Sequence, residues 1–292
     1  MRADEIAPPA ARPRPKLWVQ VVLIAAFYGV YSYTRNLFGS ALVDKGQQPV
    51  HAFDNAIRII DIEKALNIFH EKAIQGWFLG WDAFIRFWNI YYGTFHFIVT
   101  FVAFVWLYIR DPVRFTRWRN VLGFTTALGI LGFSLFPLMP PRLLDVDPAV
   151  NRFGGGELRM ERGLPPFGFT DTLAEVGGLW SFDSGAIAEV SNQYAAMPSL
   201  HIAWSLWCTL VMWPLTRRWW SRALLVLYPM ATLFCIVVTA NHYFLDAAGG
   251  LVCLGLGYVL GRALDDWWYQ RGPGARVKTE APAAASDQAA AA

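Results

Sequence analysis

Six apolar stretches, each close to the length needed to cross about 30 Å of hydrocarbon, leave this chain few architectures. They fall at about residues 17–38, 87–109, 121–139, 196–215, 223–240 and 243–262. A segment in lipid must satisfy its backbone hydrogen bonds internally, so runs of this kind imply helices. The chain is 55% hydrophobic and 16% charged, with 14 Trp and 21 Phe in 292 residues, which excludes an ordinary soluble domain. The expected class is all-α: a polytopic membrane protein, a six-helix transmembrane bundle over residues 16–270. Tails 1–15 and 271–292, rich in Ala and Pro with Arg or Gly, read as disordered. The first run follows a charged tail, is too long for a signal peptide and has no obvious cleavage site, so it reads as a retained helix. Cys208, Cys235 and Cys253 lie within the runs at no metal or redox spacing and read as small buried apolar residues.

The distribution of charge orients the bundle. Arg2, Arg12, Arg14 and Lys16 precede the first run; Arg110, Arg114, Arg117 and Arg119 fill the link between the second and third. Arg217, Arg218 and Arg222 fill the link between the fourth and fifth, and Arg271, Arg276 and Lys278 follow the last. By the positive-inside rule both termini and these links are expected in the cytoplasm, and the remaining loops outside. The basic clusters are topology signals, not a nucleic-acid surface.

On the outer side, residues 52–77 place Phe53, Ile57, Ile60, Phe69, Ile74 and Trp77 among charged residues at near-helical spacing, which predicts one amphipathic helix on the interface. His51 and His70 on that segment read as solvated. Trp77, Trp81, Trp88, Tyr91 and Tyr92 form an aromatic belt at the mouth of the second run, and Tyr194 and Tyr243 read as further interface anchors. The outer loop 140–195 is too long to be a simple connector. It carries Pro-Pro-Arg-Leu at 140–143, three glycines at 154–156, and Phe-Thr-Asp-Thr at 169–172, where Asp171 reads as a turn or capping residue. In the last run Gly257 and Gly261 have the small-xxx-small spacing of close helix packing.

Two short segments concentrate the ionisable groups: Met-Pro-Ser-Leu-His at 197–201 and Asn-His-Tyr-Phe-Leu-Asp at 241–246. Asp246 follows His242 by one helical turn, so its carboxylate reaches the imidazole. The alternation of runs puts His201, His242 and Asp246 at one depth on the outer face, and ionisable groups in a membrane are functional candidates by default. Phosphoryl transfer through a phosphohistidine needs a neutral imidazole held by a carboxylate, a second group that donates a proton to the leaving oxygen, and donors around the phosphate. His242 with Asp246 answers the first need and His201 the second. Ser199 and Pro198 open the fourth helix, whose free amides favour an anion. His96 is either a hydrogen-bonded packing residue or part of the cavity lining, and Asn241 is read as cavity lining. Arg142 is a candidate phosphate clamp, or else a headgroup contact or loop salt bridge. A bis-histidine haem protein, a His-His-Asp metal site and a non-enzymatic membrane protein are the rival classes.

The two segments resemble the second and third signatures of the type-2 phosphatidic acid phosphatase superfamily. Within it, Asn-His-Tyr-Phe-Leu-Asp-Ala-Ala-Gly-Gly, Met-Pro-Ser-Leu-His, Pro-Pro-Arg-Leu and the aromatic stretch ending at His96 are most similar to the inositol phosphorylceramide synthase branch and its bacterial relatives. The resemblance covers roughly residues 80–262. It implies a six-helix bundle in a bacterial plasma membrane, no metal or other cofactor, His242 as nucleophile, Asp246 as its partner and His201 as general acid. It further implies a phospholipid or lipid phosphate as substrate, with transfer to a polyol slightly favoured over hydrolysis. Two features depart from the pattern. The first signature, a Lys and an Arg-Pro at fixed spacing, has no recognisable counterpart, and Ile236 stands where the third signature has its Arg. Phosphate charge must therefore be met elsewhere, by Arg142 and the Ser199 helix start.

Overall fold

The structure, a computed structural model, describes residues 15–37, 49–179 and 192–270. Most of both sequence-read tails, 1–14 and 271–292, lies outside the described residues, as does 180–191 of the long loop. Ten helices are described: α1 (Leu17–Leu37), α2 (Val50–Ala65), α3 (Glu71–Phe78), α4 (Asp82–Arg110), α5 (Pro112–Leu135), α6 (Gly156–Glu161), α7 (Thr172–Glu175), α8 (Leu200–Met212), α9 (Trp219–Val238) and α10 (Phe244–Gln270). No strand is present among the described residues; a lone parallel bridge joins Leu138 to Ala195.

Among the described residues, α4, α9 and α10 are long and apolar enough to cross a membrane, and shorter apolar stretches cover Leu17–Phe27 and Leu200–Leu215. Large apolar side chains on these helices point outward, among them Phe97, Phe101, Leu227, Met230, Val252 and Val259. An exposed apolar surface of this extent marks a lipid-facing wall. Several helix ends differ from the hydropathy reading because local capping, not hydropathy, sets them. The third helix begins at Pro112 rather than near 121: Asp111 accepts a 3.0 Å hydrogen bond from Arg114 N and Pro112 occupies the first helical position, where its missing N–H costs nothing. The fourth begins at Leu200, not 196, because Ser199 just before it is extended.

α10 packs along α5. A methyl-sized Cβ on Gly257 would stand 2.8 Å from Thr125 N, and one on Gly261 2.6 Å from Val121 N. The small-xxx-small spacing therefore does what the sequence suggests and lets the two backbones nearly touch. Around this contact Ala103, Leu107, Phe115, Ala203, Trp207, Val211 and Leu254 form the inner core of the bundle.

A second core lies at the opposite end from the basic links, and it corrects two expectations. Residues 52–77 are not one helix on an interface. They break at Asn67, whose φ of 57° lies in the left-handed region, into α2 and α3. One face of α2 is buried: Phe53, Ala56, Ile59 and Ile60 pack with Leu138, Met139, Leu143, Phe153 and Phe169 from the strap that follows α5. Tyr194 and Tyr243 are not interface anchors either, being 2% and 0% exposed. Each hydroxyl donates to a carbonyl inside this roof, Tyr194 to Phe153 O at 3.0 Å and Tyr243 to Met139 O at 3.1 Å. His51 and His70 are exposed, as expected, and so are Trp77 and Trp81.

Candidate active site

The site forms where α8, α10 and the α9–α10 turn meet under the roof. α9 ends at Val238, and the amides of Asn241 and His242 both turn back to Ile236 O, at 3.0 and 3.1 Å. The turn passes through Ala240 at φ 52°, a left-handed conformation that carries a cost for a residue with a Cβ. Arg142 N donates to Ala240 O at 2.9 Å and fixes it from the strap. α8 meets α10 through Ser199 N, which donates to Asp246 O at 2.8 Å; a Cβ on Gly250 would lie 2.3 Å from Ser199 O, so only glycine permits this approach.

This folding brings His201, His242 and Asp246 together, as their spacing predicts. His242 Nδ1 lies 3.2 Å from Asp246 Oδ2, an atom that also accepts Tyr243 N–H at 2.9 Å. His242 Nε2 lies 3.3 Å from His201 Nδ1. A carboxylate on Nδ1 holds the proton there and leaves the Nε2 lone pair facing His201. His242 is 2% exposed and Asp246 fully buried. The two histidines face each other directly at these ring nitrogens, with no width between them for a macrocycle. Ser199 precedes α8 with its Oγ buried, and no described group bonds it. The first-turn amides of that helix have no preceding turn to donate to.

His96 and Asn241 are drawn into the same cluster. The His96 ring lies 4.2 Å from His201, centroid to centroid, and Tyr92 stacks on His201 at 4.5 Å with 21° between planes. Asn241 Oδ1 accepts from Arg142 Nε at 3.0 Å, while Asn241 Nδ2 donates to Thr239 Oγ1 at 2.8 Å. Arg142 is 3% exposed, and its guanidinium also donates to Asp171 Oδ2 at 2.8 Å and Gln193 Oε1 at 2.6 Å. Asp171 thus has two tasks: it caps α7 and it neutralises Arg142.

Sequence reasoning missed four members of this neighbourhood. Tyr92 was assigned to the belt, yet it walls His201. Gln193 carried no signal. Glu63 and Glu71 lie unnamed among the charged residues of the segment read as an interfacial helix, yet both are fully buried. Glu71 Oε1 accepts Phe244 N–H at 2.9 Å and Glu63 Oε1 accepts Leu245 N–H at 2.7 Å, so the pair caps α10. A signal was present: Glu63 continues the stripe Phe53, Ala56, Ile60 at three- and four-residue steps.

With this geometry in place, similarity to known proteins becomes informative. The profile of the PAP2 superfamily matches residues 57–260, well over half of the chain. The chain belongs to the PAP2 superfamily. This is a family of membrane lipid phosphatases and phosphotransferases, and the matched region runs from α2 to α10, taking in the whole cluster just described. The chain is also 25% identical over 175 residues to the inositol phosphorylceramide synthase catalytic subunit aur1 of Schizosaccharomyces pombe. That match covers 56% of this chain and 37% of the relative, so the chain spans well under half of that protein's length. No solved structure matches.

Proposed function

We infer that this PAP2-superfamily protein transfers a phosphoryl-containing group from a phospholipid to an alcohol through a covalent intermediate on His242. The observation that carries the reading is the buried chain Asp246–His242–His201, with ring nitrogens and carboxylate oxygen spaced at 3.2 and 3.3 Å. In the first step the Nε2 lone pair of His242 attacks phosphorus. An N–P bond forms, the P–O bond to the leaving alcohol breaks, and the proton on His201 Nδ1 goes to that oxygen. In the second step the acceptor hydroxyl returns a proton to His201 while its oxygen attacks phosphorus and the N–P bond breaks. Asp246 keeps the His242 proton on Nδ1 and stabilises the charge that develops on the ring. A phosphate entering the site takes the place of the His201–His242 contact.

Ser199 and the first-turn amides of α8 are assigned to the phosphate oxygens, since an unpartnered hydroxyl beside a helix start favours an anion. Arg142 is assigned the compensating positive charge. It acts through the Asn241 turn, or directly if one of its three carbonyl or carboxylate acceptors gives way. His96 and Asn241 line the cavity. Six crossings, cytoplasmic termini and an outward-facing site in a bacterial plasma membrane complete the reading; its support is that the basic links lie at the opposite end of the bundle from His242.

Transfer is favoured over hydrolysis because the roof leaves His242 only 2% exposed, and excluding water protects an intermediate for an alcohol. The relative named a synthase points the same way. The test is purified protein with phosphatidylinositol or phosphatidic acid in detergent micelles, with and without added inositol or another polyol. A new phospholipid or phosphoalcohol ester that appears only with an acceptor supports transfer. Release of free phosphate or phosphoalcohol that no acceptor diverts assigns the protein to hydrolysis.

A further inference from the structure

The two glutamates under the roof are the most conspicuous groups that the reaction does not use. Each accepts one N–H from the first turn of α10, Phe244 to Glu71 and Leu245 to Glu63. These residues lie between His242 and Asp246, so the carboxyls hold the backbone on which both stand. Each Oε2 is buried, and no proton-bearing group reaches either one if both carboxyls are ionised. The two carboxyls are nonetheless anchored on the amides of consecutive residues, Phe244 and Leu245, which sets them side by side under the roof. Two buried negative charges at that separation repel strongly, whereas one proton between them turns repulsion into a hydrogen bond.

We propose that Glu63 and Glu71 share one proton, and that the resulting carboxyl pair clamps the first turn of α10 and positions His242 and Asp246 for reaction. Both are positioning residues: neither touches the imidazoles, and each acts through the α10 backbone. The other titratable groups that face the pair are Tyr243 on the turn and Asp246 on α10, and neither supplies a positive charge. Burial first, and then the hydrogen bond and charge of Glu71, push the Glu63 carboxyl up to about 9, against the pull of the Leu245 N–H. At neutral pH Glu63 therefore holds the proton, and the pair turns acceptor oxygens to the N-terminus of α10. As pH rises through about 9 the proton leaves and the clamp opens by repulsion.

The proposal rests on the phosphoryl-transfer reading for its catalytic readout. Glu63→Gln and Glu71→Gln each keep one negative charge and one bridging hydrogen, now an amide N–H that pH does not remove. Each should hold kcat within about twofold of wild type at pH 7, and the ratio of variant to wild-type kcat should climb above pH 9. The ratio cancels ionisations common to both proteins, including those of the histidines. Glu63→Ala, which removes the hold on Leu245, should lower kcat about 10- to 100-fold with KM nearly unchanged, the scale of an ångström-sized misplacement. The assay uses phosphatidylinositol or phosphatidic acid micelles across pH 6–10. A ratio for Glu63→Gln that stays flat, or a kcat as low as that of Glu63→Ala, overturns the proposal.

Thermal unfolding supplies a readout independent of turnover. A carboxyl whose folded pKa is raised to about 9 stabilises the fold fully below its ordinary value of 4.5, and that stability is lost as pH rises towards 9. Glu63→Gln should flatten the decline of Tm between pH 5 and 9. An unchanged slope contradicts the shared proton, whether or not the protein turns over either lipid. Absence of turnover in wild type, with the slope flattened as expected, would instead sink the reaction and spare the pair.

Discussion

The two ends of the bundle use the same kinds of side chain in opposite ways. At the basic end, Arg117 meets Asp265 at 3.2 Å and Asp266 at 3.1 Å, and Arg262 meets Asp266 at 3.5 Å with side chains 58% and 37% exposed. Asp265 is buried, but Arg117, Arg262 and Asp266 reach water or headgroups, so the contacts among these exposed groups are screened and worth little individually. Under the roof, Arg142 meets Asp171 at 2.8 Å with both side chains below 5% exposed, and Asn241 and Gln193 satisfy the rest of the fork. Charge at the first end is, on the proposed topology, the orientation signal. At the second end it is fixed in a low-dielectric interior, where the same Coulomb interaction is several times stronger and can orient a nucleophile. The proposed chemistry uses the end where Arg142, Asp171, His242 and Asp246 are removed from solvent.

The sharpest way to break this contrast is to remove the proposed nucleophile. His242→Ala should lower turnover by a factor on the order of 1,000 or more, and Asp246→Asn by a comparable factor through loss of the tautomer, each checked by lipid product formation in purified protein. Next in size is the roof pair. Arg142→Leu leaves Asp171 buried and uncompensated, which should cost about 3–5 kcal/mol in denaturant or thermal unfolding. Gly261→Val forces a branched side chain against the Val121 backbone and should cost roughly 1–3 kcal/mol through α5–α10 separation, measured the same way. Arg262→Ala at the basic end should change stability by less than about 1 kcal/mol. An Arg262 effect as large as that of Arg142 would erase the distinction between the ends.

The same contrast explains what could be read from sequence. Membrane helices announce themselves by composition, and His201, His242 and Asp246 stood out because ionisable groups beside apolar runs are rare. The Gly257–Gly261 packing was legible because the spacing itself is the mechanism. The roof was not legible. Its helices α2 and α3 are amphipathic, and an amphipathic face suits a lipid interface and a protein core equally well, so residues 52–77 looked like a surface helix. Tyr194 and Tyr243 were misassigned for the same reason, since tyrosine marks an interface or a buried hydroxyl with equal ease. Arg142, Asp171 and Gln193 come from positions as much as 51 residues apart, and nothing local in the sequence links them.

The central claim is that His242 carries the transferred group. Purified protein given a phospholipid radiolabelled in its phosphate, without acceptor, and quenched rapidly should retain label that is stable to base and lost in acid, as expected for an N–P bond. The His242→Ala protein, confirmed folded by its unfolding transition, should retain none. Equal acid-labile labelling of both proteins, or turnover by the variant at the wild-type rate, would contradict the account.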